Sequence, residues 1–169
     1  MKFKIIATLA LTMTGIIASA KVGAADTGLQ SQYIGIGLSA GLKDGGRNEG
    51  ATTSFAVQGR YNLRQSPLSI RGSVAFADGR TSILPMVTYD FPLAENTNFY
   101  LGGGYSIITG DGNKVTPLGN QNAPVITAGL EKAMSKNLVI FGDLKWGLDG
   151  YRSDNSDAVA LQAGVGLNF

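Results

Sequence analysis

The sequence predicts an all-β fold, a closed eight-stranded antiparallel up-and-down barrel, and three observations support that prediction. Large apolar residues alternate with small or polar ones along eight separate segments, at the period of a β-strand. The connections between these segments differ in length from one end of the predicted strands to the other. Glycine is abundant, with 24 of 169 residues, and only 15% of residues are charged, whereas an average soluble domain has about 25% charged residues.

The first four predicted strands span residues 33–42, 53–63, 68–77 and 81–91. In each of them the large apolar side chains occupy every second position, which places them on one face of the strand. These faces carry Ile34, Ile36 and Leu38; Phe55, Val57, Tyr61 and Leu63; Leu68, Ile70, Val74 and Phe76; and Ile83, Val87, Tyr89 and Phe91.

The last four predicted strands span residues 98–108, 123–133, 138–148 and 158–169. Their apolar faces carry Phe99, Leu101, Tyr105 and Ile107; Ile126, Ala128 and Leu130; Ile140, Leu144, Trp146 and Leu148; and Val159, Leu161, Val165, Leu167 and Phe169. Pro85 and Pro124 also lie on these faces. Because proline has no N–H to donate to a neighbouring strand, we expect both at a bulge or at a strand end.

Short and long connections fall on opposite sides of the predicted sheet. Three connections, 64–67, 92–97 and 134–137, are tight, and three others, 43–52, 109–122 and 149–157, are longer, polar and rich in glycine. The connection at 78–80 departs from this pattern because it is short. Short turns on one side and longer loops on the other are typical of bacterial outer-membrane barrels.

The alternation alone does not decide which face of the barrel points outward. A soluble barrel would bury the apolar face, and a membrane barrel would turn it toward lipid. The other face is mostly Gly, Ser, Ala, Thr and Gln, and it carries only six charged residues, Arg60, Arg71, Lys145, Asp90, Glu131 and Asp143. A water-exposed surface would hold more Lys and Glu, whereas small residues and balanced charge suit a narrow barrel interior. The sequence therefore predicts a transmembrane barrel.

These six charged residues are predicted to form an ion-pair network in the lumen. Arg60 and Arg71 should lie opposite each other across the 64–67 turn, where their like charges repel. We expect Asp90 and Glu131 to reach the same half of the lumen, with Asp143 and Lys145 nearer the long loops. A structural role is the favoured interpretation, and a gating or ion-passage role is the alternative.

Aromatic residues of the apolar face lie near the strand ends. If the tight turns face the periplasm, one group falls near the periplasmic boundary, namely Tyr61, Tyr89, Phe91, Phe99 and Phe169. The other group, Phe55, Phe76 and Trp146, falls near the opposite boundary. Aromatic side chains favour lipid–water interfaces, so the sequence predicts two aromatic girdles.

Residues 1–25 have the layout of a secretory signal peptide. Lys2 and Lys4 precede an apolar stretch at 5–17, and small residues at 18–20 and 22–24 offer cleavage sites. A buried N-terminal helix is the alternative. We expect cleavage between residues 20 and 25, which leaves 26–169 as one barrel domain.

Cleavage also changes the charge of the chain. It removes three of the 14 basic residues and none of the 12 acidic ones, so acidic residues then outnumber basic ones by one. Without a basic stripe, nucleic-acid binding is not predicted.

The C-terminal residues Val165, Leu167 and Phe169 resemble the terminal signal by which outer-membrane barrels are recognised for insertion. Together with the eight strands, they make residues 30–169 resemble the small eight-stranded outer-membrane barrels, the OmpA/OmpX-type and opacity-protein-like group of the porin superfamily. The resemblance implies a monomer in the bacterial outer membrane. It also implies membrane lipid and lipopolysaccharide as partners, and the barrel-assembly machinery and periplasmic chaperones during biogenesis.

Ordinary catalytic and metal chemistry has little support in the sequence. The chain has no His and no Cys, which excludes His-dependent triads, thiolate nucleophiles and His-ligated metals. Asp90 and Glu131 could form an acid–base pair, but two arginines are expected beside them. Gly102–Gly104 lies within a strand rather than before a helix, and 149–157 lacks the spacing of a calcium loop. No catalytic residue, cofactor or metal is predicted.

Three functions remain compatible with the sequence. The favoured one is a non-enzymatic outer-membrane barrel with a structural or surface-interaction role, in which Lys43, Arg47, Lys114 and Arg152 could meet lipopolysaccharide phosphates. The second is a narrow porin-like channel, if the small inward residues leave water-filled space, in particular Gly35, Gly37, Gly41, Gly102, Gly104, Gly164 and Gly166. The third is a soluble, lipocalin-like periplasmic binding barrel.

Overall fold

The computed structural model describes residues 28–42, 52–63, 66–111, 115–152 and 156–169, and these ranges form a closed antiparallel barrel. The predicted fold class is therefore confirmed. Its strands are β1 Tyr33–Gly41, β2 Thr53–Asn62, β3 Leu68–Ala77, β4 Arg80–Ala94, β5 Thr97–Thr109, β6 Ala123–Ala133, β7 Leu138–Gly147 and β8 Ala158–Asn168. Each strand pairs with the next, and β8 closes on β1. The proposed signal peptide lies outside the described residues.

The strand boundaries differ from the predicted ones by at most three residues, and the largest difference is at the end of β4. The sequence predicts a turn from Pro92 onward, but β4 continues to Ala94 and a bulge lies between these two residues. The turn then closes through Asn96, whose φ is 56°. Because the bulge accommodates Pro92, the proline does not end the strand.

The two prolines of the outward face differ in their surroundings. Pro124 is the second residue of β6, at a strand end as expected. Pro85 lies inside β4, so the expectation was wrong there. Pro85 pairs with Gly72 of β3, while the pairing of β4 with β5 stops at Ile83 and resumes at Met86. The wall therefore accommodates the missing N–H donor by a local interruption of one ladder.

The large apolar side chains point outward from the barrel. Ile36 is 53% exposed and Leu101 is 45% exposed, whereas the inward Gln58 and Lys145 have almost no exposed surface. This arrangement is the reverse of a soluble protein, in which a continuous apolar surface of this kind is buried. No helix in the described ranges is long and apolar enough to cross a membrane.

Glycines on the inward face make room for aromatic rings. A Cβ atom added at Gly35 would lie 2.7 Å from the Phe141 ring, and Gly164 lies beside the same ring. The Tyr33 ring stacks on Phe141 with centroids 5.6 Å apart, and it also lies against Gly166. The space beside these three glycines is therefore filled by side chains rather than left open to water.

We expect Gly35→Ala to lower the free energy of unfolding by about 1–3 kcal/mol, because the added methyl group would overpack the lumen. The new Cβ would also lie 2.6 Å from the Val165 carbonyl oxygen. Gly72→Ala is the matched control, since Gly72 faces outward and a methyl group added there would meet nothing within 4 Å. Urea unfolding of the membrane-inserted protein measures both values. Equal effects of the two substitutions would contradict this role of the inward glycines.

Candidate functional site in the barrel lumen

Four charged side chains meet inside the lumen, in the half nearer the tight turns, and we call them the quartet: Arg60, Arg71, Asp90 and Glu131. Arg60 of β2 and Arg71 of β3 are direct partners in the register of the two strands. Inward alternation on β4 and β6 turns Asp90 and Glu131 toward them. All four side chains are at most 5% exposed.

Each arginine of the quartet pairs with both carboxylates. Arg60 lies 2.6 Å from Asp90 (Nη2 to Oδ2) and 3.2 Å from Glu131 (Nε to Oε1). Arg71 lies 2.9 Å from Asp90 (Nη2 to Oδ1) and 2.7 Å from Glu131 (Nη1 to Oε2). Two positive and two negative charges cancel, which is the condition under which buried charges are tolerated.

Neighbouring polar groups complete the hydrogen bonding of the two carboxylates. Asp90 accepts from the Ser69 hydroxyl and, at 3.3 Å, from the Thr88 hydroxyl. Glu131 accepts from Nδ2 of Asn98 at 3.1 Å. Carboxylates that are ion-paired and hydrogen-bonded in this way are fixed in a structural network, so the geometry does not favour acid–base catalysis by Asp90 and Glu131.

The second ion pair, Asp143 with Lys145 of β7, joins the quartet through an aromatic ring. The Tyr100 hydroxyl donates to Asp143 at 2.7 Å, and the Arg71 guanidinium lies 3.6 Å from the centre of the Tyr100 ring. A cation over an aromatic face is attracted by the ring quadrupole. The structure thus brings all six predicted charged residues into one connected polar network.

Uncharged side chains extend this network across the bore. The Tyr33 hydroxyl accepts from Arg71 Nη1 at 3.2 Å and from Gln58 Nε2 at 3.4 Å. Gln162 of β8 donates to Gln58 of β2 at 2.9 Å and accepts from Ser73 of β3 at 3.2 Å. Side chains from strands that are not neighbours in the sheet therefore bond to each other inside the lumen.

Several members of this network are not among the residues predicted from the sequence, namely Tyr33, Gln58, Tyr100, Asn98 and Gln162. A signal for them exists, because each faces inward next to a predicted charged residue. Gln58 is two residues from Arg60 on the same strand, and each of the others pairs with a charged residue of a neighbouring strand. The charged residues are conspicuous because they are few. An inward tyrosine in a narrow barrel must also meet the groups of the opposite wall, and alternation alone does not say which groups those are.

The tight-turn end of the lumen is closed by residues 28–32, which we call the strap. Leu29 is 2% exposed and packs with Tyr33, Val139 and Phe141. Its peptide groups bond twice to Asn98: the Leu29 N–H donates to Oδ1 at 3.1 Å, and its carbonyl accepts from Nδ2 at 2.9 Å. Arg60 donates to the Ser31 carbonyl at 2.7 Å. The quartet and the strap are therefore directly connected.

The loop end of the lumen is closed by residues 115–119 of the β5–β6 loop, which we call the lid. All five residues are buried. The Leu118 side chain, 4% exposed, enters the barrel mouth. It packs in one cluster with the inward apolar residues Leu84, Met86, Val125 and Ala160. The polar centre of the lumen thus lies between an apolar closure at each end.

The predicted girdle residues occupy the outward face near the strand ends. Near the tight turns, the Phe91 ring lies 4.6 Å from Tyr89 and 5.8 Å from Phe99, measured between centroids. Tyr61 is 52% exposed on the same face. Near the loops, Phe55 stacks on Phe76 at 6.5 Å, and Trp146 Nε1 donates to Asp157 at 2.9 Å.

The C-terminal residues Val165, Leu167 and Phe169 also face outward, with exposures of 48%, 65% and 74%. Leu167 and Phe169 stand at the tight-turn end of β8, where Leu167 pairs with Ile34 of β1 and Leu138 of β7, and Val165 lies further along the strand beside Ile36 and Ile140.

Most of the charged loop residues predicted from the sequence lie outside the described ranges. Lys43, Arg47 and Lys114 lie outside the described residues, as do residues 153–155 of the Asp-rich loop, while Arg152 is exposed. Within the ranges that are described, no group of three or more His, Cys, Asp or Glu side chains is arranged to hold a metal ion.

Comparison with solved structures identifies the fold. The N-terminal barrel domain of Pseudomonas aeruginosa OprF matches with a TM-score of 0.58 and 18% identity, over 83% of this chain and 98% of that domain. Neisserial surface protein A matches with a TM-score of 0.54 and 17% identity, over 82% of this chain and 97% of that protein. Ail of Yersinia pestis matches with a TM-score of 0.51 and 18% identity, over 83% of this chain and 99% of that protein. The expected resemblance to small eight-stranded outer-membrane barrels is confirmed at the level of the fold.

No protein-family model matches the chain, and no curated protein does.

Proposed function

We propose that this protein is a non-enzymatic integral barrel of the bacterial outer membrane, closed along its axis, with a structural or surface-interaction role. The contrast between its two faces carries the proposal. On the outer face Ile36, Val87, Leu101 and Leu144 are 43–54% exposed, whereas the Arg71, Glu131, Asp143 and Lys145 residues inside are only 1% exposed. Only an apolar solvent outside the barrel makes this arrangement favourable.

Membrane lipid is the partner that fits the outer face. In water such a continuous apolar belt would drive aggregation, whereas in a bilayer it meets acyl chains. Closure of β8 on β1 leaves no unpaired sheet edge, which hydrocarbon would penalise. The girdle residues then lie at the two interfaces. The same outward belt argues against the soluble lipocalin-like alternative, which needs an apolar interior.

The closed lumen favours an anchoring or interacting barrel over a channel. Three obstacles lie in series along the axis: the strap, the polar network around Arg71, and the lid. The network is also neutral in each of its parts, so it offers a passing ion neither a free charge nor open space. A barrel of eight strands is narrow enough for side chains to fill it in this way.

Planar-bilayer recording tests the closed lumen. We expect the folded protein to insert without discrete conductance steps, and heat-modifiable migration on gels confirms that the inserted sample is folded. Reproducible single-channel currents from the folded protein would support the porin-like alternative instead. Cell fractionation provides the second readout, because recovery in the soluble periplasmic fraction would support the lipocalin-like barrel.

A further inference from the structure

A single charged side chain interrupts the apolar outer face of the strands. Along the eight described strands, Lys132 is the only charged residue in the outward phase. It lies at the tight-turn end of β6, where it is exposed and pairs with Thr97 of β5 and Ile140 of β7. A lysine at the end of a lipid-facing strand extends its ammonium group to the headgroup level of the bilayer.

A second lysine follows in the adjoining turn. The β6–β7 turn holds Lys136 and is closed by the Met134 N–H, which donates to the Leu138 carbonyl at 2.8 Å. Lys136 is exposed, and Met134, which precedes it, is 57% exposed. Neither Lys132 nor Lys136 forms an ion pair with any residue that the structure describes. Two such charges beside an apolar surface favour an anionic lipid headgroup.

Lys136 also lines a cavity at the tight-turn end of the barrel. The cavity has a volume of about 460 Å³ and is bordered by the strap and by the β6–β7 turn. Small-molecule sites typically have volumes of about 300–1,000 Å³. No acidic side chain is among the described residues that line it, and its polar lining consists of Gln30, Ser31, Asn96, Ser135, Lys136 and Asn168. One positive charge among neutral hydrogen-bonding groups suits an anion that also carries hydroxyl groups.

Two residues of this lining have hydrogen-bonding capacity that the described part of the chain does not use. Asn168 Nδ2 donates to the Lys136 carbonyl at 3.1 Å, which orients the Asn168 amide. Asn168 Oδ1 and Ser31 Oγ are buried, and neither has a hydrogen-bond partner within the described ranges. Because an unsatisfied buried oxygen costs free energy, this wall favours a ligand that supplies hydroxyl donors.

We propose that Lys132, Lys136 and the cavity beside the strap bind one anionic phospholipid with a hydroxyl-bearing headgroup, as in phosphatidylglycerol. Its acyl chains lie along the outward side chains of Leu138 and Ile140, its phosphate lies between the two lysines, and its glycerol hydroxyls enter the cavity. This inference rests on the proposed function, because it requires a bilayer around the apolar face. It adds the preferred lipid and the place where that lipid binds.

Quenching by brominated lipid measures the lipid preference at this place. The reporter is the variant Trp146→Phe with Leu138→Trp, because Leu138 faces outward and its carbonyl bonds to Met134. In mixed bilayers, we expect phosphatidylglycerol to associate with this reporter at least about fivefold more strongly than phosphatidylcholine. Adding Lys132→Gln and Lys136→Gln should remove the preference.

Three controls separate the site from general effects of charge. Native Trp146 lies on the outer face near the loops, so the two lysine substitutions should leave its lipid preference unchanged. Phosphatidylmethanol carries the same charge without headgroup hydroxyls, and it should associate less strongly than phosphatidylglycerol at the Leu138→Trp reporter. Dissolved glycerol 3-phosphate should not displace the lipid, because it lacks the acyl chains.

The proposal is overturned if the reporter shows equal association of phosphatidylglycerol and phosphatidylcholine, or if the lysine substitutions leave its preference unchanged. Equal association of phosphatidylmethanol, or displacement by glycerol 3-phosphate, would also overturn it. If brominated phosphatidylcholine leaves the reporter fluorescence unchanged, the proposed membrane orientation fails as well, so the two failures are distinguishable. Heat-modifiable migration establishes that each variant is folded.

Discussion

Arg71→Met is expected to lower the free energy of unfolding by about 3–5 kcal/mol, the range for breaking a buried ion pair at one partner. Arg71 bonds both quartet carboxylates and lies against the Tyr100 ring. Because Met keeps much of the side-chain volume, the decrease in the free energy of unfolding arises mainly from the lost charge. Without Arg71, Asp90 and Glu131 share only Arg60 and leave one uncompensated negative charge. Urea unfolding in detergent micelles or bilayers measures the change.

A second substitution separates charge balance from packing. The double variant Arg71→Met with Glu131→Gln restores neutrality, and it should recover part of the lost stability. Lys132→Met is the control, because Lys132 points outward from β6 and removing its charge should have a much smaller effect. If Arg71→Met costs no more than Lys132→Met, the quartet does not stabilise the barrel.

Ile36→Arg should lower stability by about 2–4 kcal/mol, the cost of arginine on the lipid face near the bilayer midplane. Ile36 lies in the middle of β1, between the outward residues Val57 of β2 and Val165 of β8. Hydrocarbon surrounds this position in the proposed orientation, so the guanidinium would be poorly solvated. Urea unfolding of the bilayer-inserted protein gives the value.

Leu138→Arg is the depth control for this prediction. Leu138 also faces outward, but it is the first residue of β7, next to a tight turn. Arginine near an interface costs about 0–1 kcal/mol because it reaches the headgroups. Similar costs at Ile36 and Leu138 would argue against a bilayer-spanning outer face.

The strands and the inward phase of the charged residues can be predicted because both depend on local alternation. The length of the turn between Arg60 and Arg71 places them opposite each other, since one tight turn fixes the register of a hairpin. The same reasoning places Asp90 and Glu131 in the same half of the barrel. These inferences need only strand direction and residue count.

The closures at the two ends cannot be predicted in this way. Leu118 lies in a polar, glycine-rich loop without periodicity, and nothing local indicates that it turns back into the barrel mouth. Leu29 precedes β1, and its place depends on Asn98, 69 residues away along the chain. Contacts of this range follow from closure of the whole barrel, which brings the β5–β6 loop and the strap over their respective ends.

The position of Pro85 shows a second feature that local sequence does not predict. The general rule excludes proline from a paired strand interior, yet here the neighbouring ladder is interrupted at that position. Local sequence does not indicate which of the two partner strands tolerates the missing donor.

Quenching of the sole tryptophan by brominated lipid tests whether the apolar face of the barrel meets acyl chains. Trp146 lies on the outer face near the loops and is 48% exposed. In vesicles of phospholipid brominated near the headgroup end of its acyl chains, we expect strong quenching of Trp146 fluorescence, with weak quenching by aqueous iodide. A second variant, Trp146→Phe with Ile36→Trp, should respond most to bromines placed deep in the acyl chain. If iodide quenches the tryptophan fluorescence of both proteins and brominated lipid leaves it unchanged, water rather than lipid surrounds the apolar face.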